Sequence, residues 1–193
     1  MADNEIFLTD GLKRAEFEIQ HDQSVNVNRQ GQAQVLKISP PVWKISLSYE
    51  NLSDASYRAL TAWLSRRDGA VSAFEAYRPD RKEPSGGATS VTAFSVNVST
   101  SELTITTNGA ALTVGDMVAY DTASGRYFGE VTKVAGSVYT VYPPLTSAAA
   151  GTPNATISEA KGRFRIDVKS VRVTEPFEPK KAVQFSAIQT GQY

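Results

Sequence analysis

The sequence predicts an all-β fold: a β-sandwich with one packing α-helix, interrupted by an inserted small β-barrel-like domain. Three observations lead there. Between Gly115 and Ile166, short apolar stretches are cut at near-regular intervals by glycine, proline and Asp/Ser turns, as small barrels and sandwiches require. Further upstream, Trp43, Ile45, Leu47 and Tyr49 alternate strictly with Lys44, Ser46, Ser48 and Glu50, the period of a half-buried strand. Only one segment, close to residues 54–67, carries the three-and-four spacing of a helix.

From the N-terminus, Ala15, Phe17 and Ile19 alternate with Glu16, Glu18 and Gln20 and predict a first half-buried strand. Short strands are expected near Val25 to Asn28 and Gln34 to Ile38, with the strand of Trp43 following the Pro40-Pro41 pair. Ser53 or Asp54 can cap a helix from about Asp54 to Arg67, in which Tyr57, Leu60, Leu64 and the flank of Trp63 recur on one side. Gly69 offers a left-handed stop. A returning strand over Ala70 to Arg78 precedes the segment RPDRKEPSGG, which breaks regular structure.

Composition shifts between Ser85 and Ala160. Only seven charged residues occur there (Glu102, Asp116, Asp121, Arg126, Glu130, Lys133 and Glu159) among abundant Thr, Ser, Ala and Gly, so residues 85–160 read as the insert. Residues 1–84 and 161–193 then form one discontinuous sandwich domain. Within the insert, strands are expected near Val91 to Val98, Leu103 to Thr106, Met117 to Tyr120, Tyr127 to Val134, Val138 to Tyr142 and Ala155 to Ser158. Turns are expected at Asn108-Gly109, Ser124-Gly125 and Gly136-Ser137. After Gly162, Phe164, Ile166 and Val168 alternate with Arg163, Arg165, Asp167 and Lys169 until the parity flips at Ser170-Val171, where a β-bulge would reconcile the two halves. A last strand, Ala182 to Ile188, follows a turn at Pro176 and Pro179.

Composition also narrows function. Twenty basic residues balance twenty acidic ones, so no global field concentrates nucleic acid or an anionic membrane, and no specific nucleic-acid partner is expected. The absence of cysteine removes disulfides, thiolate nucleophiles and sulfur-ligated zinc. His21 is the single histidine, which rules out imidazole clusters, and no cofactor or metal is expected. The acidic start MADNEIFLTD lacks the features of an export signal, and no apolar run approaches the ~20 residues of a spanning helix. No membrane anchor is therefore expected.

Two stretches carry a family resemblance. One is VWKISLSYENLSDASYRALTAWLSRRDGAVSAFEAYRPDR, a tryptophan-bearing strand, a helix with the order Y-x-x-L-x-x-W-L, then a glycine and a strand with phenylalanine. The other is LTVGDMVAYDTASGRYFGEVTKVAGSVYTVYPPLTSAAAGTPNATISEAKGRFRI, with its GD strand opener, late VYPPL and closing GRFRI. Together they cover around half of the chain, and the chain resembles the distal tail and related minor tail proteins of long-tailed bacteriophages and phage-derived particles. The resemblance implies a virion structural protein assembled in the host cytoplasm, with no enzymatic activity. It implies a ring of identical subunits, commonly a hexamer, at the tail tip, with the tail tube protein on one side and the tip hub protein on the other. The sandwich would build the ring and the insert would project from it.

Six residues are candidates for the subunit interface: Pro40, Pro41, Arg78, Lys161, Arg163 and Arg165. Pro40 and Pro41, the segment from Arg78 to Gly87 and the segment from Thr174 to Lys181 are read as loops that meet a neighbour. Lys161, Arg163, Arg165, Lys169 and Arg172 are read as one basic strand, whose plainer role is a solvated sheet face that discourages uncontrolled edge pairing. An alternative reading, a carbohydrate-binding module acting in host-surface recognition, rests on Tyr120, Tyr127 and Tyr142, with Phe128 and Tyr139 nearby. Exposed, these rings could stack on a host glycan; buried, they are barrel core. Asp116 and Asp121 with Glu130 could in principle form a carboxylate pair for glycoside hydrolysis, but both aspartates sit in ordinary turn contexts, and no residue is assigned as catalytic.

Overall fold

The alternation at Trp43 is realised in full. Trp43, Ile45, Leu47 and Tyr49 are buried while the residues between them are half-buried, so this strand packs one face on a core and turns the other outward. The computed structural model describes residues 11–67, 71–123, 125–149, 155–174 and 181–190. It is mostly β, 59% strand with one helix, in two antiparallel sheets, one of which curls into a half-barrel. In chain order the elements are β1 (Leu12–Val27), β2 (Ala33–Leu52), α1 (Asp54–Arg66), β3 (Phe74–Ala76), β4 (Ala88–Asn97), β5 (Glu102–Gly109), β6 (Met117–Thr122), β7 (Gly125–Ala135), β8 (Val138–Tyr142), β9 (Gly162–Ile166), β10 (Arg172–Thr174) and β11 (Lys181–Gln189).

The six-stranded sheet runs β1-β2-β11-β9-β3, with β10 also beside β11; the five-stranded sheet runs β4-β5-β8-β7-β6. The first draws its strands only from the two ends of the described chain and the second only from the middle. Helix α1 starts where Ser53 Oγ accepts the Ser56 N–H at 3.1 Å, satisfying one of the free amides of a helix start. Its buried side, Tyr57, Leu60 and Trp63, covers the inner face of the six-stranded sheet, where Trp63 meets Phe74 edge-on at 5.2 Å and Phe185 at 6.0 Å.

The two sheets share a core. Met117, Ala119 and Phe128 of the five-stranded sheet belong to the same buried cluster as Trp43, Phe164 and Phe185. Phe128 packs against Trp43 at 5.9 Å and Phe164 at 6.1 Å. Gly162 lets them close: a Cβ there would stand 2.9 Å from both Phe128 and Phe164 ring atoms. Buried Gln189 ties the layers further, accepting the Trp43 N–H at 3.1 Å and reaching the Phe128 carbonyl at 3.4 Å. A second cluster, with Leu103, Val118, Tyr120, Tyr127, Tyr139 and Val141, lies within the five-stranded sheet.

Several expectations need correction. The short strands at Val25 to Asn28 and Gln34 to Ile38 are the outer parts of β1 and β2, and the proline pair interrupts neither strand. Gln20 faces Val42 and Asp22 faces Ser39, so His21 opposes both Pro40 and Pro41 at a β-bulge, where a residue without an N–H is tolerated. The return after the helix shrinks to β3, because only Phe74 and Ala76 bury their side chains there, while Val71 is 68% exposed. Asn108-Gly109 ends β5 without turning into a hairpin, since β5 pairs with β4 and β8. The strand expected at Ala155 to Ser158 is reduced to one bridge, Thr156 with Ala119.

The bulge expected at Ser170-Val171 is a larger excursion. Ile166 faces Ala187 and Arg172 faces Gln184, so five residues, 167–171, oppose two. The surplus is odd and flips the parity. It is taken up by a 3-10 turn over Val168–Ser170, started by Asp167 accepting the Lys169 N–H and pinned by Ser170 Oγ, which accepts the Ser186 N–H at 2.7 Å. Val168, expected to face inward, is 59% exposed. Gly69, Ala70, Ser124, Pro176, Pro179 and most of the Thr174 to Lys181 segment lie outside the described residues.

Candidate functional site

The feature that stands out is an arm. Strands β1 and β2 form a hairpin whose inner half packs on the core, with Phe17 opposite Ile45 and Ile19 opposite Trp43. Its outer half continues past the bulge, and residues 21–40 are exposed without exception. Val25 stands directly across from Val35, Val27 across from Ala33, and Leu36 across from Ser24. Val25, Val27, Val35, Leu36 and Ile38 are 61%, 60%, 55%, 67% and 61% exposed. They are five of the ten exposed large hydrophobic residues among the described part of the chain, so apolar surface concentrates on this one element.

Local chemistry explains why the hairpin closes where it does. Asn28 Oδ1 accepts the Gln30 and Gln32 N–H groups at 3.0 and 2.9 Å, and Gly31 takes φ +78°, a left-handed conformation that glycine adopts freely. At the base, Ser39 Oγ donates to Asp22 at 3.2 Å, and the His21 ring lies against Tyr142, with Nδ1 3.4 Å from the hydroxyl. Tyr142 of β8, in the five-stranded sheet, therefore braces the root of the arm while the tip stands clear.

A second apolar feature lies elsewhere on the same sheet. Leu64 with Thr61 and Ser65 of α1, and Ile166, Val168, Val171 and Val173 on and between β9 and β10, line a shallow groove. Val168 and Val173 are 59% and 46% exposed.

The residues singled out from sequence separate into several environments. Pro40 and Pro41 sit in β2 at the root of the arm, Pro41 buried, in place of the expected loop. Arg78 is turned inward: it pairs with Asp80 at 2.9 Å and Glu130 at 3.6 Å, and lies over Phe17 and Trp43 at 5.8 and 5.6 Å from their ring centres. Arg81 joins it, donating to Glu130 at 2.6 Å and to the Gly115 carbonyl at 2.7 Å. These arginines link Glu130 of β7 in the five-stranded sheet to Phe17 and Trp43 of the six-stranded sheet. The basic run is not one strand. Lys161 precedes β9 and is half-buried, Arg163 and Arg165 project from the exposed face of β9, Lys169 lies in the 3-10 turn, and Arg172 is in β10.

The aromatic cluster is core. Tyr120, Tyr127, Phe128 and Tyr139 are 1%, 2%, 0% and 1% exposed, and the Tyr120 and Tyr127 hydroxyls donate to the Ser147 and Pro143 carbonyls. Burial pushes both phenols up from their ordinary range. Tyr120 and Tyr127 present no face to a sugar, and Tyr142 is half-buried beside His21. Each of the three acids is held by its own partners. Buried Asp116 accepts the Ser85 and Thr113 N–H groups, each at 2.8 Å, and so fixes the connection into β6. Asp121 pairs with Arg126 at 3.2 Å, and Glu130 is held by Arg78 and Arg81. Among the described residues, no group of three or more His, Asp or Glu could hold a metal ion, and no helix is long and apolar enough to cross a membrane.

Reading strands from sequence located the pieces of the arm and missed the arm itself. Its signal was present in Asn28 and Gly31, turn-forming residues between a stretch carrying Val25 and Val27 and one carrying Val35, Leu36 and Ile38. Compared with known proteins, the sequence matches no family model, and no curated protein is significantly similar to it.

Proposed function

We propose that this chain is a structural, non-enzymatic protein of a phage-type tail tip, of the distal tail kind, which assembles with copies of itself into a ring joining tail tube to tip hub. The observation that carries the reading is the arm. A two-stranded ribbon is at best marginally stable alone in water, and exposed apolar residues gathered on one projecting element mark an interaction surface. A stable interface takes about 20–30 residues a side, and the exposed stretch 21–40 is long enough to supply one side. An arm reaching from one subunit to the next makes a head-to-tail contact, which closes into a ring when the rotation allows. The candidate carboxylates each have structural partners within the fold, which fits a role in assembly.

The ring is expected to be a hexamer, its two faces meeting the tail tube and hub proteins. Sedimentation or mass photometry of the purified chain tests this. A discrete closed oligomer, six subunits by mass, is the expected result. A stable monomer at all concentrations, unchanged when tube protein is added, would remove the reading.

A further inference from the structure

We infer that the seat of the arm is the groove between α1 and the β9–β10 edge of the next copy, with Leu36 as the anchor residue. The inference rests on the ring reading above and specifies its contact. Leu36 is the most exposed large apolar residue of the arm, at 67%. The groove, lined by Leu64, Ile166, Val168, Val171 and Val173, is an apolar concavity on the same chain, and it holds two more of the exposed valines.

The topology makes this contact intermolecular. Strand β11 passes Lys44 at Ile188 and reaches Leu52 at Lys181, while β10 lies along β11 at Ala182 to Gln184. The β10 end of the groove therefore flanks the Leu52 end of β2. The arm leaves from the other end, beyond Val42, and runs to Ala33, about 30 Å further at ~3.3 Å per residue. An arm pointing away from its own groove can fill only the groove of another molecule. That gives the unequal pair of surfaces a closed ring needs. Charge does not oppose the approach strongly, because the arm from Asp22 to Ser39 carries only Asp22, Arg29 and Lys37.

The absence of cysteine from the chain allows a direct test. A variant with both Leu36→Cys and Val168→Cys, oxidised gently, is expected to give a ladder of disulfide-linked multimers on a non-reducing gel, while each single variant gives dimers at most. In parallel, Leu36→Asp and Val168→Asp, both at exposed sites, are each expected to keep the folded circular dichroism spectrum. Each should weaken assembly at least ~30-fold, as loss of a central anchor does. If Leu36→Asp dissociates the oligomer while Val168→Asp leaves it intact and the double-cysteine variant gives no ladder, the arm seats elsewhere; this inference is then wrong and the ring reading stands. If Leu36→Asp leaves a wild-type-like oligomer, Leu36 is not the anchor and this inference is wrong while the ring reading stands; if the wild type is a monomer, both fall.

Discussion

Gly129 of β7 is the residue on which the interior of the five-stranded sheet closes most tightly. A Cβ at that position would lie 2.1 Å from the Tyr127 hydroxyl oxygen, and that hydroxyl is committed to the Pro143 carbonyl at 2.7 Å. The ring cannot swing aside without stranding a buried donor. Gly129→Ala should therefore destabilise the protein by roughly 1–3 kcal/mol, the usual cost of overpacking. Urea unfolding will read the shift, and an unchanged midpoint would contradict the packing described. The same tyrosine makes a prediction about pH. Burial holds the Tyr127 phenol well above its ordinary value, with Tyr120 contributing. The folded chain thus keeps a proton that the unfolded chain releases above about pH 10. The stability this provides is complete below that pH and lost as pH rises beyond it. Thermal melts between pH 9 and 11 should fall less steeply for Tyr127→Phe than for wild type; identical slopes would show that the phenol titrates normally in the fold.

Among the elements, the arm and the inner sheet obey different logic. Replacing residues 22–39 with a short turn leaves Phe17, Ile19, Trp43 and Ile45 paired on the core, so the truncated chain should fold with close to wild-type thermal stability. Loss of folding on truncation would mean that the arm is part of the core. This division also explains what the sequence disclosed. Strands with one buried face, such as that of Trp43 to Tyr49 and the last strand, announce themselves because alternation follows burial. Helix α1 did so through its cap and the spacing of Tyr57, Leu60 and Leu64, although Trp63 is buried and Leu64 only half-buried. The arm has no core to face, so its apolar residues keep no consistent side, and the proline pair looked like a break until the partner strand supplied a bulge. The excursion at residues 167–171 was legible as a change of parity, but its size depends on Ser170 and Ser186 meeting across the sheet.

For the whole molecule, the compositional shift near Ser85 located the second sheet, and what it could not disclose was the shared core. Phe128 is 0% exposed and touches Trp43 and Phe164 across the two sheets, contacts visible only once both are folded. The molecule should then unfold as one unit, with tryptophan fluorescence from Trp43 and Trp63 and the near-ultraviolet tyrosine signal of the five-stranded sheet moving together. Phe128→Ala should cost about 3–5 kcal/mol and lower both signals at the same denaturant concentration. Two separated transitions in the wild type would contradict a common core.

Assembly is the claim on which the functional account depends, and comparing the native mass of the intact chain with that of the arm-truncated chain tests it most directly. The account predicts a closed ring of identical subunits for the first and a folded monomer for the second. The same number of subunits for the two, whether both monomeric or both assembled, would contradict it.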